Sequence, residues 1–149
     1  MRKILLCIVI VFALLTACNT NYQYSAEDFI GKDRDYLNSL VPEDQRFDYQ
    51  EYSFFEDSKG NPCVVVYGRR EISDFYTFPK KKVDTSKATF EKIQKGMTIY
   101  EVVELVGIPH RTATSGFSTM VFQGDDGEYV IYFYASKIPC TVARIVYPE

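Results

Sequence analysis

The sequence predicts an α+β protein of two tandem helix-helix-β-β-β repeats, with helices packed on one face of an antiparallel sheet. Three observations carry that expectation. The stretch Thr98 to Val106 has helical apolar spacing between a capping signal and a glycine stop. Runs rich in Tyr, Phe, Val and Ile follow it, punctuated by turn residues. The first half repeats the pattern of the second at nearly constant offset.

The helix is the clearest element. Thr98 serves as N-cap, and Glu101, three residues on, completes a capping box. Ile99, Val102, Val103 and Val106 fall on one face, widened by Leu105. Gly107 and Pro109 end it, because glycine caps and proline cannot continue a helix. A shorter helix is expected within Lys87–Lys95, turning Phe90 and Ile93 inward. Phe117–Phe122 then reads as a strand, and Gly124-Asp125-Asp126-Gly127 as a hairpin turn. Tyr129–Tyr134 is strongly β-prone, Ser136–Cys140 a turn, and Thr141–Tyr147 the last strand.

In the first half, Gly31-Lys32-Asp33 answers Gly96-Met97-Thr98 at an offset of 65, which makes Asp33 the N-cap equivalent. Leu37, Leu40 and Val41 fall on Val102, Leu105 and Val106. At an offset of 67, Pro42 meets Pro109, Phe55 meets Phe122 and Gly60 meets Gly127. The expected strands are Tyr49–Phe55, Cys63–Tyr67 and Phe75–Phe78, with Ser58-Lys59-Gly60-Asn61 as the turn. The repeats span 26–79 and 87–149, joined by a linker over 80–86 whose lysines read as solvated.

The N-terminus predicts export. Arg2 and Lys3 precede twelve apolar residues, Ile4–Leu15, short of the roughly 20 a membrane span needs. Leu15-Thr16-Ala17-Cys18 resembles a lipobox, the processing site of bacterial lipoproteins. That resemblance implies a signal peptide over 1–17, cleavage between Ala17 and Cys18, and lipidation of Cys18 by diacylglycerol, with palmitate among the acyl chains. Each buried CH₂ adds about 0.8 kcal/mol, so two or three chains hold where one is marginal. Residues 18–25 form the lipidated tether, brief enough to keep the domain near the membrane. The expected location is the non-cytoplasmic side of a bacterial cell membrane or outer membrane.

Loss of Arg2 and Lys3 with the signal peptide takes the formal charge from −3 to −5. That balance disfavours nucleic acid, whose recognition needs basic patches. Twelve Tyr and eleven Phe, without Trp, suit a β-rich core and, where exposed, an interface. Two cysteines remain beyond the anchor. A Cys63–Cys140 disulfide would close a loop of roughly 77 residues, worth about 4–5 kcal/mol in the chain-entropy model. Two separate buried thiols are the equal alternative.

Lys95-Gly96-Met97-Thr98, followed by Glu101 through Pro109, resembles the signature of the SmpA/OmlA (BamE-like) lipoproteins and of the β-lactamase-inhibitor-protein-like fold. In those families a Gly-Met-Thr opens a short helix, a Leu-Gly-x-Pro-like end closes it, and a meander with an Asp-Gly hairpin follows, as Asp126-Gly127 does here. The resemblance implies α+β units whose open sheet face binds protein, either as an inhibitor of a secreted enzyme or as an accessory of outer-membrane β-barrel assembly.

Catalytic chemistry is sparse. His110 is the single histidine, with Ser115 and Ser118 near in sequence, and reads as an exposed loop residue. One His and two distant Cys do not make a zinc site. Asp125-Asp126-Gly127-Glu128 lacks the alternating oxygen ligands of a calcium loop. Gly68-Arg69-Arg70 reads as a strand end or turn: an anion or protein contact, or more simply a solvated edge. The expectation is a non-enzymatic, lipid-anchored envelope protein with no cofactor and no metal. It would bind a protein or peptide partner through Tyr49, Tyr52, Tyr132 and Tyr134.

Overall fold

The computed structural model describes residues 24–78, 83–113, 118–134, 136 and 138–149. It is α+β, with short helices and two four-stranded antiparallel sheets. Helices α1 (Ala26–Phe29) and α2 (Arg34–Leu40) precede strands β1 (Arg46–Tyr49), β2 (Tyr52–Glu56), β3 (Pro62–Tyr67) and β4 (Ile72–Thr77). Helices α3 (Lys87–Phe90) and α4 (Ile99–Val106) precede β5 (Arg111–Thr112), β6 (Ser118–Gly124), β7 (Gly127–Tyr134) and β8 (Thr141–Val146). Each sheet runs in sequence order, β1-β2-β3-β4 and β5-β6-β7-β8.

The caps lie where the sequence puts them. Thr98 Oγ1 accepts from the Glu101 amide at 3.3 Å, and Glu101 Oε2 accepts from the Thr98 amide at 2.7 Å. Two otherwise unpaired helix donors are thereby satisfied. Asp33 Oδ1 accepts from the Tyr36 amide at 2.9 Å and opens α2 in the same way. Gly107 closes α4 with φ 84°, a conformation costly for a residue bearing Cβ. In the β2–β3 turn, Asp57 Oδ1 accepts from the amides of Lys59 and Asn61, each at 2.8 Å.

Strand expectations are corrected at three points. Tyr49–Phe55 is two strands, folded back at Gln50-Glu51 so that Tyr49 pairs with Tyr52. Gln50 supplies the reversal with φ 52°. The Asn-Gly or Asp-Gly pair that normally announces such a turn is missing, so the local signal was absent. The second sheet also gains β5, two residues pairing Arg111 with Val121 and Thr112 with Met120. Each sheet therefore has four strands where three were expected. The last expected strand of the first half begins at Ile72 rather than Phe75.

The core has two parts, divided by the first sheet. Phe55, Cys63, Val65, Tyr67 and Phe75 cluster with Phe29, Leu37 and Val41. Tyr52, Phe54, Val64 and Val66, on the opposite side by strand alternation, join a larger cluster. That cluster also holds Phe90, Ile99, Val102, Val103 and Val106, and from the second sheet Met120, Phe122, Tyr129, Ile131 and Phe133. Every residue of β3 is consequently buried, as in strands covered on both faces. Complete burial of side chains such as Phe54, Val64 and Val66 stabilises the fold by about 1.5–3 kcal/mol each. The halves share the larger cluster, and the first sheet lies between it and the smaller one.

Candidate functional site

The four tyrosines expected on a single binding face separate into two groups. Tyr52 is 3% exposed, and its hydroxyl accepts from the Cys140 amide at 2.9 Å. Burial pushes its phenol well above the usual range. Tyr49 is partly buried against the same cluster, stacked on Phe47 at 6.4 Å, and its hydroxyl accepts from Gln50 Nε2 at 3.2 Å. The face that these two residues occupy meets the second half of the chain. Tyr52 as an external contact is thus corrected: its ring is core, because Phe90, Val102, Met120, Ile131 and Val142 of the second half cover the side of the sheet from which it projects.

Tyr132 and Tyr134 behave differently. They alternate along β7 with the buried Ile131 and Phe133, so they project from the opposite side of the second sheet. Tyr134 is 51% exposed, and Tyr132 is half-buried. Arg144, the cross-strand partner of Tyr132 on β8, sets its guanidinium 4.0 Å from the Tyr132 ring centroid. Such a cation–π contact holds both side chains in place. The β7–β8 register shifts by one residue between Tyr132 and Phe133, leaving Ala143 on β8 as the extra residue. The result is an open groove of about 400 Å³, lined by Tyr132, Phe133, Tyr134, Ala143 and Arg144. Ile138 and Val146 are further exposed apolar side chains on the adjoining turn and strand.

Cys63 and Cys140 are both free and buried. They belong to different core clusters, Cys63 with Phe29 and Phe55, Cys140 with Tyr52 and Phe54. Of the two alternatives the sequence left open, the structure has the separate buried thiols, with the first sheet between them. Burial pushes the Cys63 thiol up to about 12 and the Cys140 thiol up to about 11. Neither has the depressed pKa of a reactive cysteine.

His110 is exposed and contacts Glu128 Oε1 through Nε2 at 3.1 Å. Arg111 reaches both oxygens of the same carboxylate. These hydrogen bonds, Arg111 first and His110 second, hold the Glu128 carboxyl down at about 2. Among the described residues no nucleophile is oriented by His110: the Ser118 hydroxyl donates to Gln50 Oε1 at 3.4 Å, and Ser115 lies outside the described residues. Asp125 and Asp126 are engaged by neighbours, Thr85 Oγ1 donating to Asp125 at 2.6 Å and Tyr129 OH to Asp126 at 2.7 Å. Among the described residues no three His, Cys, Asp or Glu side chains gather to hold a metal ion. Ala17 and Cys18, the cleavage and lipidation residues, lie outside the described residues. No helix of the described residues is long and apolar enough to cross a membrane.

A second concave feature was not singled out as a site by sequence reasoning. Arg34, at the start of α2, and Arg69-Arg70, in the β3–β4 turn, line a cleft of about 280 Å³. Arg34 lies 4.2 Å from the ring centroid of Tyr67. The sequence signal was the Arg69-Arg70 pair, but Arg34 is brought to it only by the fold. No family model, no curated protein and no solved structure matches the chain.

Proposed function

We propose that this chain is a non-enzymatic, lipid-anchored envelope protein that holds a protein or peptide partner on the outer side of its second sheet. The observation that carries this reading is the open groove beside Tyr132, Tyr134 and Arg144. Its composition supports a protein partner. Tyr and Arg are the residue types that dominate binding energy, because large rigid groups bury area with little loss of rotamer freedom. The anchor rests on the N-terminal residues: Arg2-Lys3, the apolar run Ile4–Leu15, and Leu15-Thr16-Ala17-Cys18. Lipidation at Cys18 keeps the groove at a membrane on the non-cytoplasmic side, and restricts which partners it meets.

The finer architecture belongs to the same proposal. Residues 26–77 and 87–146 carry the same order of two α-helices and four strands, which supports a duplicated unit; its BamE-like or inhibitor-like kind rests on the resemblance of Lys95 through Pro109 alone. In this reading the first unit uses its aromatic sheet face internally, and only the second keeps one free for a partner.

Affinity capture of the lipidated protein from detergent-solubilised envelopes tests the function. The wild type is expected to retain a partner, and the double variant Tyr132→Ser, Tyr134→Ser to lose it while keeping its circular dichroism spectrum and melting temperature. A retained β-barrel protein selects the assembly role, and a retained secreted enzyme selects the inhibitor role. Unfolding of the double variant, or undiminished capture by it, overturns the groove as the binding site.

A further inference from the structure

We infer that the cleft between α2 and the β3–β4 turn is an anion site that takes a terminal phosphate group. Three arginines line it from two distant parts of the sequence, Arg34 from the helix and Arg69 and Arg70 from the turn. The loop before α2 is tied to the strand after the turn: the Gly31 amide donates to the Ile72 carbonyl at 2.9 Å, and the Ile72 amide donates to the Lys32 carbonyl at 2.7 Å. This short ladder fixes the distance between Arg34 and the paired arginines.

Arg34 is held ready by what lies beneath it. Its guanidinium stacks on Tyr67 at 4.2 Å, and Tyr67 is itself buried, its hydroxyl 3.0 Å from Ser53 Oγ. Ser53 is fully buried and donates to Asp48, which pairs with Arg46. A cation stacked on an aromatic face keeps its edge N–H donors free for a ligand, and the planar fork of Arg matches the oxygens of phosphate.

The charge balance selects the ligand. Among the described residues Glu51 is the one carboxylate lining the cleft, so three cations against one anion leave two positive charges. A phosphomonoester carries about −1.5 to −2 at pH 7. The chain has more acidic than basic residues, 20 against 17. Yet among the described residues neither Arg69 nor Arg70 forms an ion pair. Two adjacent guanidinium groups kept unpaired in an acidic protein fit a site that receives its counter-ion from outside.

The phosphate could be carried by a soluble ester or by a lipid headgroup. The lipid source draws on the anchor at Cys18, because the six residues to Tyr24 span at most about 20 Å, and Tyr24 packs on Phe29 and Phe55, on the α1–α2 side of the first sheet. The site itself depends neither on the anchor nor on the Tyr132 groove.

Calorimetric titration of the lipidated protein, in neutral detergent at fixed ionic strength, with inorganic phosphate is the first arm. Saturable binding is expected, weakened at least tenfold in Arg69→Gln, Arg70→Gln, an exposed turn where folding is spared. The second arm follows trypsin cleavage after Arg69 and Arg70 in protein reconstituted into phosphatidylcholine vesicles, with and without phosphatidate. Slowed cleavage there, relative to cleavage after Lys92, that is abolished by Arg34→Gln, assigns the lipid headgroup as the source. Phosphate binding without that protection assigns a soluble ester. No response in either arm overturns the site, as does a response that the arginine variants leave unchanged. Loss of partner capture by the Tyr132, Tyr134 double variant is read separately, so the two proposals fail independently.

Discussion

The Tyr52 hydroxyl, on the first sheet, accepts a hydrogen bond from the backbone amide of Cys140, which lies 88 residues later, at 2.9 Å. Both groups are buried, at 3% exposure each. A buried amide without a partner is costly, so this single contact helps hold one half of the chain on the other. Tyr52→Phe keeps the ring and removes the acceptor. The expected loss is about 1–3 kcal/mol of unfolding free energy, read as a lower midpoint in urea with an unchanged slope. An unchanged midpoint would mean that the amide finds another acceptor.

A glycine governs the packing of α3 on the second sheet. Phe90 and Tyr129 stack at 3.7 Å, nearly parallel at 3°. A Cβ on Gly124 would lie 2.5 Å from Tyr129 and 3.1 Å from Phe90. Gly124→Ala must therefore displace the ring pair, and overpacking of this kind costs about 1–3 kcal/mol. The expected signature is a lower melting temperature together with a changed near-ultraviolet tyrosine signal. Retention of both would show that the rings have room to shift.

The two thiols give a chemical readout of the divided core. In mature lipidated protein neither Cys63 nor Cys140 should react with a thiol reagent in the native state, and both should react after denaturation without reductant. Burial raises the folded pKa of both above the ordinary value of 9.0, to about 12 and about 11. The stability this contributes is present below pH 9 and is lost as pH rises through those values. Cys63→Ala should flatten the alkaline decline in urea midpoint. Fewer than two thiols in the denatured, unreduced protein would contradict the separation of the cysteines.

The carboxylate of Glu128 gives the acid-side counterpart. Arg111 and His110 hold its folded pKa near 2, below the ordinary 4.5. A depressed carboxyl stabilises above its unfolded pKa, and that contribution disappears as pH falls from about 4.5 towards 2. The group is exposed, so the effect is small and screened by salt. Glu128→Gln should be less stable than wild type at pH 6 in low salt. The two should converge near pH 2, and high salt should narrow the gap. A gap that is independent of pH would assign the loss to something other than charge.

Much of the local structure was legible in the sequence. Thr98 with Glu101, Asp33, Gly107 and the Gly124–Gly127 turn act through neighbours only a few residues away, so short-range chemistry determined them. The turn at Gln50-Glu51 was not legible. Its reversal depends on a non-glycine residue held at positive φ by pairing of the flanking strands.

The sequence by itself determined most of the helix and strand segments, because capping, apolar period and turn chemistry are local; the β1–β2 reversal and β5 were the exceptions. It also determined that β7 carries buried Ile131 and Phe133 on one side and Tyr132 and Tyr134 on the other, since strand period admits nothing else. Which side of each sheet would face solvent was decided only by tertiary structure. Period says that Tyr52 and Tyr132 project from a sheet; it does not say what packs there. The second half covers the first sheet and takes Tyr49 and Tyr52 into the molecule, while Tyr132 and Tyr134 line an open groove. The same long-range packing put the first sheet between Cys63 and Cys140, and brought Arg34 to Arg69 and Arg70. Burial and convergence are properties of residues far apart in the chain, and no pattern of near neighbours encodes them.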